Sequence, residues 1–122
     1  MTCVIDQTGD SAKTICWGRG DSDAKGFIIT NAAGAAINIT GYSFKLTVDS
    51  RLNPDDATTQ QFSLDGVLTD APNGAVSFTP TSVDTDIAPG TYYYDIQQID
   101  TGAAKKTIIK GKVLIVQDIT KV

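Results

Sequence analysis

The run at residues 89–99, Pro-Gly-Thr-Tyr-Tyr-Tyr-Asp-Ile-Gln-Gln-Ile, constrains this chain more than any other stretch. Counted by twos, Tyr92, Tyr94 and Ile96 point one way and Tyr93, Asp95 and Gln97 the other, the period of an extended chain buried on one face. Pro89-Gly90 is a turn pair, so a strand is predicted to begin directly after it. Tyrosine suits a central strand, because the ring fills a core while the hydroxyl reaches a polar partner at its edge. The run therefore predicts the middle of an antiparallel sheet.

Other segments repeat the signal. Phe27-Ile28-Ile29-Thr30 reads as a strand closed by a turn at 31–34, and a second strand is predicted at 36–40, where Ile37 and Ile39 alternate with Asn38 and Thr40. In residues 42–48, Tyr42, Phe44, Leu46 and Val48 share one face and Ser43, Lys45 and Thr47 the other. That predicts a strand with one wet face, which antiparallel sheets permit. After a polar loop at 49–60, Phe62 and Leu64 alternate, Asp65-Gly66 reads as a hairpin turn into Val67-Leu68-Thr69, and Val76 and Phe78 mark a further strand. Residues 81–87 are predicted to make a helical turn between sheets, with Val83 and Ile87 plugging an end of the core. A turn at 100–102 leads into the last strand, through 106–110 and 111–116. No apolar period near 3.6 residues runs long enough for a helix. Turn signals recur every eight to twelve residues or so, the spacing of an all-β sandwich.

The amino terminus is less determined. Cys3-Val4-Ile5 is a short apolar run and Thr14-Ile15-Cys16-Trp17 a second, so the two either pair as a hairpin or the first is an arm that pairs with a neighbouring copy. Trp17, the only tryptophan, is either a lid on the core or an exposed contact residue. Met1 is followed by no charged, long apolar segment of the secretory kind, so synthesis in a cytosol is expected. There Cys3 and Cys16 are free thiols by default, able to bridge in an oxidising medium if their strands lie side by side.

At 122 residues the chain is one domain with room for a real core. A net charge of −4 and no dense Lys/Arg cluster argue against nucleic acid as a partner. The sequence has no histidine, so a Ser or Cys nucleophile lacks its usual base, and two thiolates alone do not close a zinc shell. The paired carboxylates, Asp21/Asp23, Asp55/Asp56 and Asp84/Asp86, all fall in turns, where Asp is favoured for local hydrogen bonds. All fourteen acidic residues are Asp, so the terminal glutamate of a calcium loop is missing. No enzyme, cofactor, metal site or small-molecule ligand is expected. Arg19-Gly20-Asp21 spells an integrin-type tripeptide but reads as part of a flexible polar turn.

Three motifs carry a family resemblance: Ile39-Thr40-Gly41-Tyr42, the run from Pro89 to Gln97, and the closing Asp118-Ile119-Thr120. In this order, after Arg19-Gly20-Asp21, the chain resembles the amino-terminal domain family of bacteriophage baseplate upper proteins, over Arg19 to Thr120. The resemblance implies an immunoglobulin-like β-sandwich of about seven to nine short strands at 19–122, preceded by an arm or extra hairpin at 1–18. It implies a virion structural protein, made in the host cytoplasm, whose partners are other virion proteins and copies of itself. A tail or baseplate subunit that docks other virion proteins fits best; a capsid decoration protein and a glycan-binding or host-surface module through Trp17, Tyr93 and the 49–60 loop are the alternatives. Cys3, Val4, Ile5 and Trp17 are the candidate contact residues. In the family the module heads a longer chain, whereas here the sequence ends soon after Thr120.

Overall fold

The apolar alternation resolves into eight strands among the residues that the computed structural model describes, 14–51, 54 and 58–117. They are β1 (Ile15–Gly18), β2 (Lys25–Ile28), β3 (Ser43–Asp49), β4 (Gln60–Asp65), β5 (Val67–Asp70), β6 (Ala75–Phe78), β7 (Gly90–Ile99) and β8 (Lys105–Val116). One sheet has the order β1-β8-β7-β3-β4 and the other β2-β6-β5. The tyrosine-rich strand β7 lies at the centre of the larger sheet.

The inward residues of both sheets make one core, which includes Phe44, Leu46 and Val48 of β3, Phe27 of β2, Val76 and Phe78 of β6, and Tyr94 and Ile96 of β7. Burying each such side chain stabilises the fold by about 1.5–3 kcal/mol relative to exposure. The larger sheet curls far enough that inward rings of its two outermost strands meet: Trp17 of β1 and Phe62 of β4 have centroids 6.1 Å apart.

The strand order is that of an immunoglobulin-like sandwich, with β2, β6 and β5 as strands B, E and D and β8, β7, β3 and β4 as G, F, C and C′. Such folds have a tyrosine at the start of strand F whose hydroxyl bonds back to the backbone a few residues upstream. Here Tyr92 Oη donates to the Ala88 carbonyl at 2.6 Å. Two residues on, where antibody domains place a cysteine, stands Tyr94, which packs on Phe27 of the facing sheet at 6.3 Å between centroids. Burial holds the Tyr94 phenol far above its ordinary pKa. Tyr92→Phe, which deletes one hydrogen bond and no apolar volume, is expected to lower unfolding free energy by about 1 kcal/mol, measured by urea titration.

Several sequence expectations are corrected. The sandwich is not purely antiparallel: β1 runs parallel to β8, with Ile15 opposite Val113 and Trp17 opposite Ile115. Residues 15–18, read from the sequence as the end of an arm or extra hairpin, form β1 of the larger sheet. Residues 37–39 form no strand; the Ile37 and Ile39 amides are taken by the carbonyls of Ile29 and Ala71 instead. Ile39 still reaches the core. Asp65-Gly66 is not a hairpin turn, since β4 and β5 belong to different sheets and Gly66 is the crossover. A Cβ at Gly66 would lie 2.8 Å from Val76 Cγ2 and 3.0 Å from Phe44 Cβ, so only glycine lets the chain pass so close to the core. Nor does Val83 plug the core, being 80 % exposed; Thr85 does, at 0 %. Its Oγ1 donates to the Asp21 carbonyl at 2.6 Å, which removes the cost of burying a hydroxyl.

Candidate interaction surface

The loops that carry the sequence motifs are fastened to one another. Arg19 Nε meets Asp86 Oδ1 at 2.9 Å, the Arg19 amide donates to Val116 O, the Gly20 amide to Thr85 O and the Asp21 amide to Gly18 O. The Arg19-Gly20-Asp21 triplet therefore lies in a hydrogen-bonded polar turn between β1 and β2. Asp23 pairs with Lys25 at 2.7 Å. Asp84 and Thr81 cap each other reciprocally: the Thr81 amide donates to Asp84 Oδ2 and the Asp84 amide to Thr81 Oγ1. The carboxylates of Asp23, Asp84 and Asp86 thus serve loop structure, and Asp55 and Asp56 lie outside the described residues. Among the described residues no group of three or more His, Cys or Asp side chains is placed to hold a metal ion.

Of the contact candidates, Cys3, Val4 and Ile5 lie outside the described residues. Trp17 is fully buried. Its indole Nε1 donates to the Asp23 carbonyl at 2.9 Å, and the Lys25 ammonium sits 6.0 Å from the ring centroid, at the limit of cation–π reach. It is a core residue and offers no contact surface. Tyr93 lies on the outer face of the larger sheet, opposite Lys112 and Asp49, so the structure does not bring it together with Trp17 as a sugar platform.

That outer face is wet and charged. Lys45 stands opposite Asp65 and Gln97, and Asp95 opposite Lys110 and Thr47. Burial raises the Asp95 carboxyl above the usual carboxylate range, and the Lys110 ammonium pulls it partly back. A raised folded-state pKa contributes stability that is complete below the ordinary carboxylate pKa and is lost as pH rises through the raised value. Asp95→Asn, neutral throughout, is therefore expected to raise the thermal midpoint at pH 7. The gain should vanish below about pH 3, as thermal melts at the two pH values would show.

The outer face of the smaller sheet is of a different kind. With Phe27, Val76, Phe78 and Leu68 turned inward, alternation turns Gly26 and Ile28 of β2, Ala75 and Ser77 of β6, and Val67 of β5 outward. Register places Ser77 between Gly26 and Val67, and Ala75 between Ile28 and Asp70. Asp70, at one corner, is the only ionised side chain in these two rows. Two of the three large hydrophobic residues left exposed among the described residues are here, Ile28 at 57 % and Val67 at 61 %. The side chains between them are small, so the face is flat. The sequence gives no sign of it, because the residues that compose it are spread over some fifty positions.

No family model matches the chain, and no curated protein matches it at a significant level.

Proposed function

We propose that this protein is a non-enzymatic structural subunit of a bacteriophage particle, of the tail or baseplate kind, that docks another virion protein through the outer face of β2, β6 and β5. The observation that carries the docking reading is the near absence of charge on that face, with Ile28 and Val67 both more than half exposed. In a chain of net charge −4, this is the surface a partner can cover with little desolvation of ions, which would otherwise offset the gain from burial. A flat sheet face suits the flat apolar surface of another rigid protein better than a small molecule, which binds in concave sites. The phage setting rests on the resemblance of Ile39-Thr40-Gly41-Tyr42 and of residues 89–97, together with the immunoglobulin-like strand order. A capsid decoration protein would use the same face in the same way.

Imaging of purified particles that contain the chain tests the assignment. The expected result is a fixed number of copies per particle, each with the Ile28/Val67 face against a neighbouring subunit. A chain recovered only in the particle-free fraction, or a particle in which that face points to solvent, contradicts it.

A further inference from the structure

The larger sheet gathers cations in one file. In a chain of net charge −4, β8 carries Lys105, Lys106, Lys110 and Lys112 and no acidic residue. Lys105, Lys110 and Lys112 stand opposite Ile99, Asp95 and Tyr93 of β7, so alternation places all three on the outer face, away from Tyr94 and Ile96. They are exposed, and among the described residues none is in a salt bridge. A second surface lies at the end of the sandwich where β8 finishes. The Arg19 amide is held there on Val116 O, the Gly20 amide on Thr85 O and the Thr85 hydroxyl on Asp21 O, which joins the 19–23 and 81–86 loops in one corner. At its tip, in the turn closed by the Asp84 amide on Thr81 O and the Asp86 amide on Val83 O, stands Val83. It is 80 % exposed, more than any other large hydrophobic residue among those described. Around it Asp21, Asp23, Asp84 and Asp86 outnumber Arg19 and Lys25, the cations described at this corner.

We propose that the lysine file of β8 seats the Val83 corner of a second copy of the chain: the valine lies on the sheet and the carboxylates around it meet the ammonium groups. The free file and the exposed valine carry the contact, and charge complementarity decides the occupant. Within one copy the two surfaces cannot meet, because the file points off the face of the sheet and the corner closes the end of its strand. A contact between unlike patches is heterologous and leaves one of each free, so copies add in a row or close into a ring. Nucleic acid is the poorer occupant. Asp95 lies beside Lys110 and Asp65 meets Lys45 at 3.8 Å on the same face, where a continuous phosphate backbone would be repelled. The corner instead brings a few carboxylates as a rim around one apolar group. This contact is separate from docking through β2, β6 and β5 and stands or falls without it.

Sedimentation equilibrium of the full chain tests it. Charges act over about 30 Å in about 0.01 M salt and over about 3 Å in about 1 M salt. The average mass is therefore expected to grow with protein concentration at the lower salt and to be that of the monomer at the higher. The double substitution Lys105→Glu, Lys112→Glu reverses the file, and Ser82→Lys, Val83→Lys reverses the corner at two exposed positions. Each variant alone should be monomeric at low salt. An equimolar mixture should recover the mass of the natural chain, because each variant then offers the other an opposite patch. A natural chain that is monomeric at low salt overturns the proposal, as does a mixture that stays monomeric while thermal melts show both variants folded. Association that persists at high salt, or that Ile28→Lys, Val67→Lys abolishes, belongs to the face of β2, β6 and β5 and overturns it as well. The salt dependence of the natural chain keeps the test valid if a variant fails to fold.

Discussion

Trp17→Ala is expected to lower the unfolding free energy by about 3–5 kcal/mol, a large part of what holds a domain of this size together. Three losses combine. The indole fills the core where the inward faces of β1 and β4 meet, so its removal leaves a cavity beside Phe62. The Asp23 carbonyl loses the donor that reaches it at 2.9 Å. The Lys25 stem, whose side chain is only 16 % exposed, loses the ring beneath it. Trp17→Phe keeps most of the volume and gives up the hydrogen bond, so about half the loss is expected. Guanidinium titration followed by far-ultraviolet circular dichroism is the measurement, because the substitution removes the only tryptophan. A loss within about 0.5 kcal/mol, the range of ordinary surface substitutions, would return Trp17 to the reading of an exposed contact residue.

Gly66→Ala is expected to cost about 2–3 kcal/mol, for a reason that is steric and not conformational. Gly66 is absent from the glycines with positive φ, so the backbone there accepts alanine. The added methyl would lie 2.8 Å from Val76 Cγ2, 3.0 Å from Phe44 Cβ and 3.1 Å from Phe78 Cε1. Phe44 Cβ cannot retreat without moving the backbone of β3, and the Gly66 amide is itself held on the Phe44 carbonyl at 2.8 Å. The crossover and β3 are therefore pushed apart together. Gly26→Ala is the control: the nearest atom to its added methyl is the Val76 carbonyl oxygen at 4.0 Å, and a change within about 0.5 kcal/mol is expected. Equal effects at the two positions, by the same titration, would mean that Gly66 is not a point of close passage between the sheets.

What the sequence made legible is what lies within a few residues along the chain. The alternation of Phe44, Leu46 and Val48 against Ser43, Lys45 and Thr47 predicts β3 because it is a property of one strand, and the same holds for Tyr92, Tyr94 and Ile96 in β7. Partnerships between distant segments leave no such trace. Nothing in Ile15-Cys16-Trp17 announces parallel pairing with 113–115, roughly a hundred residues away. Asp65-Gly66 carries the signal of a hairpin and of a crossover alike, and the choice is made by Val76 and Phe78 packing beneath the glycine. Val83 drew attention because it is apolar, but the 81–84 cap turns it outward and brings Thr85 over the core. There a hydroxyl is tolerated because it donates a hydrogen bond to the Asp21 carbonyl. The candidate docking face was hidden for the same reason as the strand order, since Gly26, Ile28, Val67, Ala75 and Ser77 become neighbours only through β2-β6-β5 pairing.

The proposed function places the biological work on one surface, the outer face of β2, β6 and β5. Charging that face while leaving the core untouched tests it. The double substitution Ile28→Lys, Val67→Lys places two ammonium groups on the face of β2, β6 and β5, at residues 57 % and 61 % exposed, where a partner would have to bury them. The measurement is the recovery of the double variant in purified particles from cells that produce it beside the natural chain, with thermal melts of both as a check on folding. The account predicts a midpoint within about 5 °C of the natural chain and a loss of the variant from particles. A well-folded variant that enters particles as efficiently as the natural chain would contradict it.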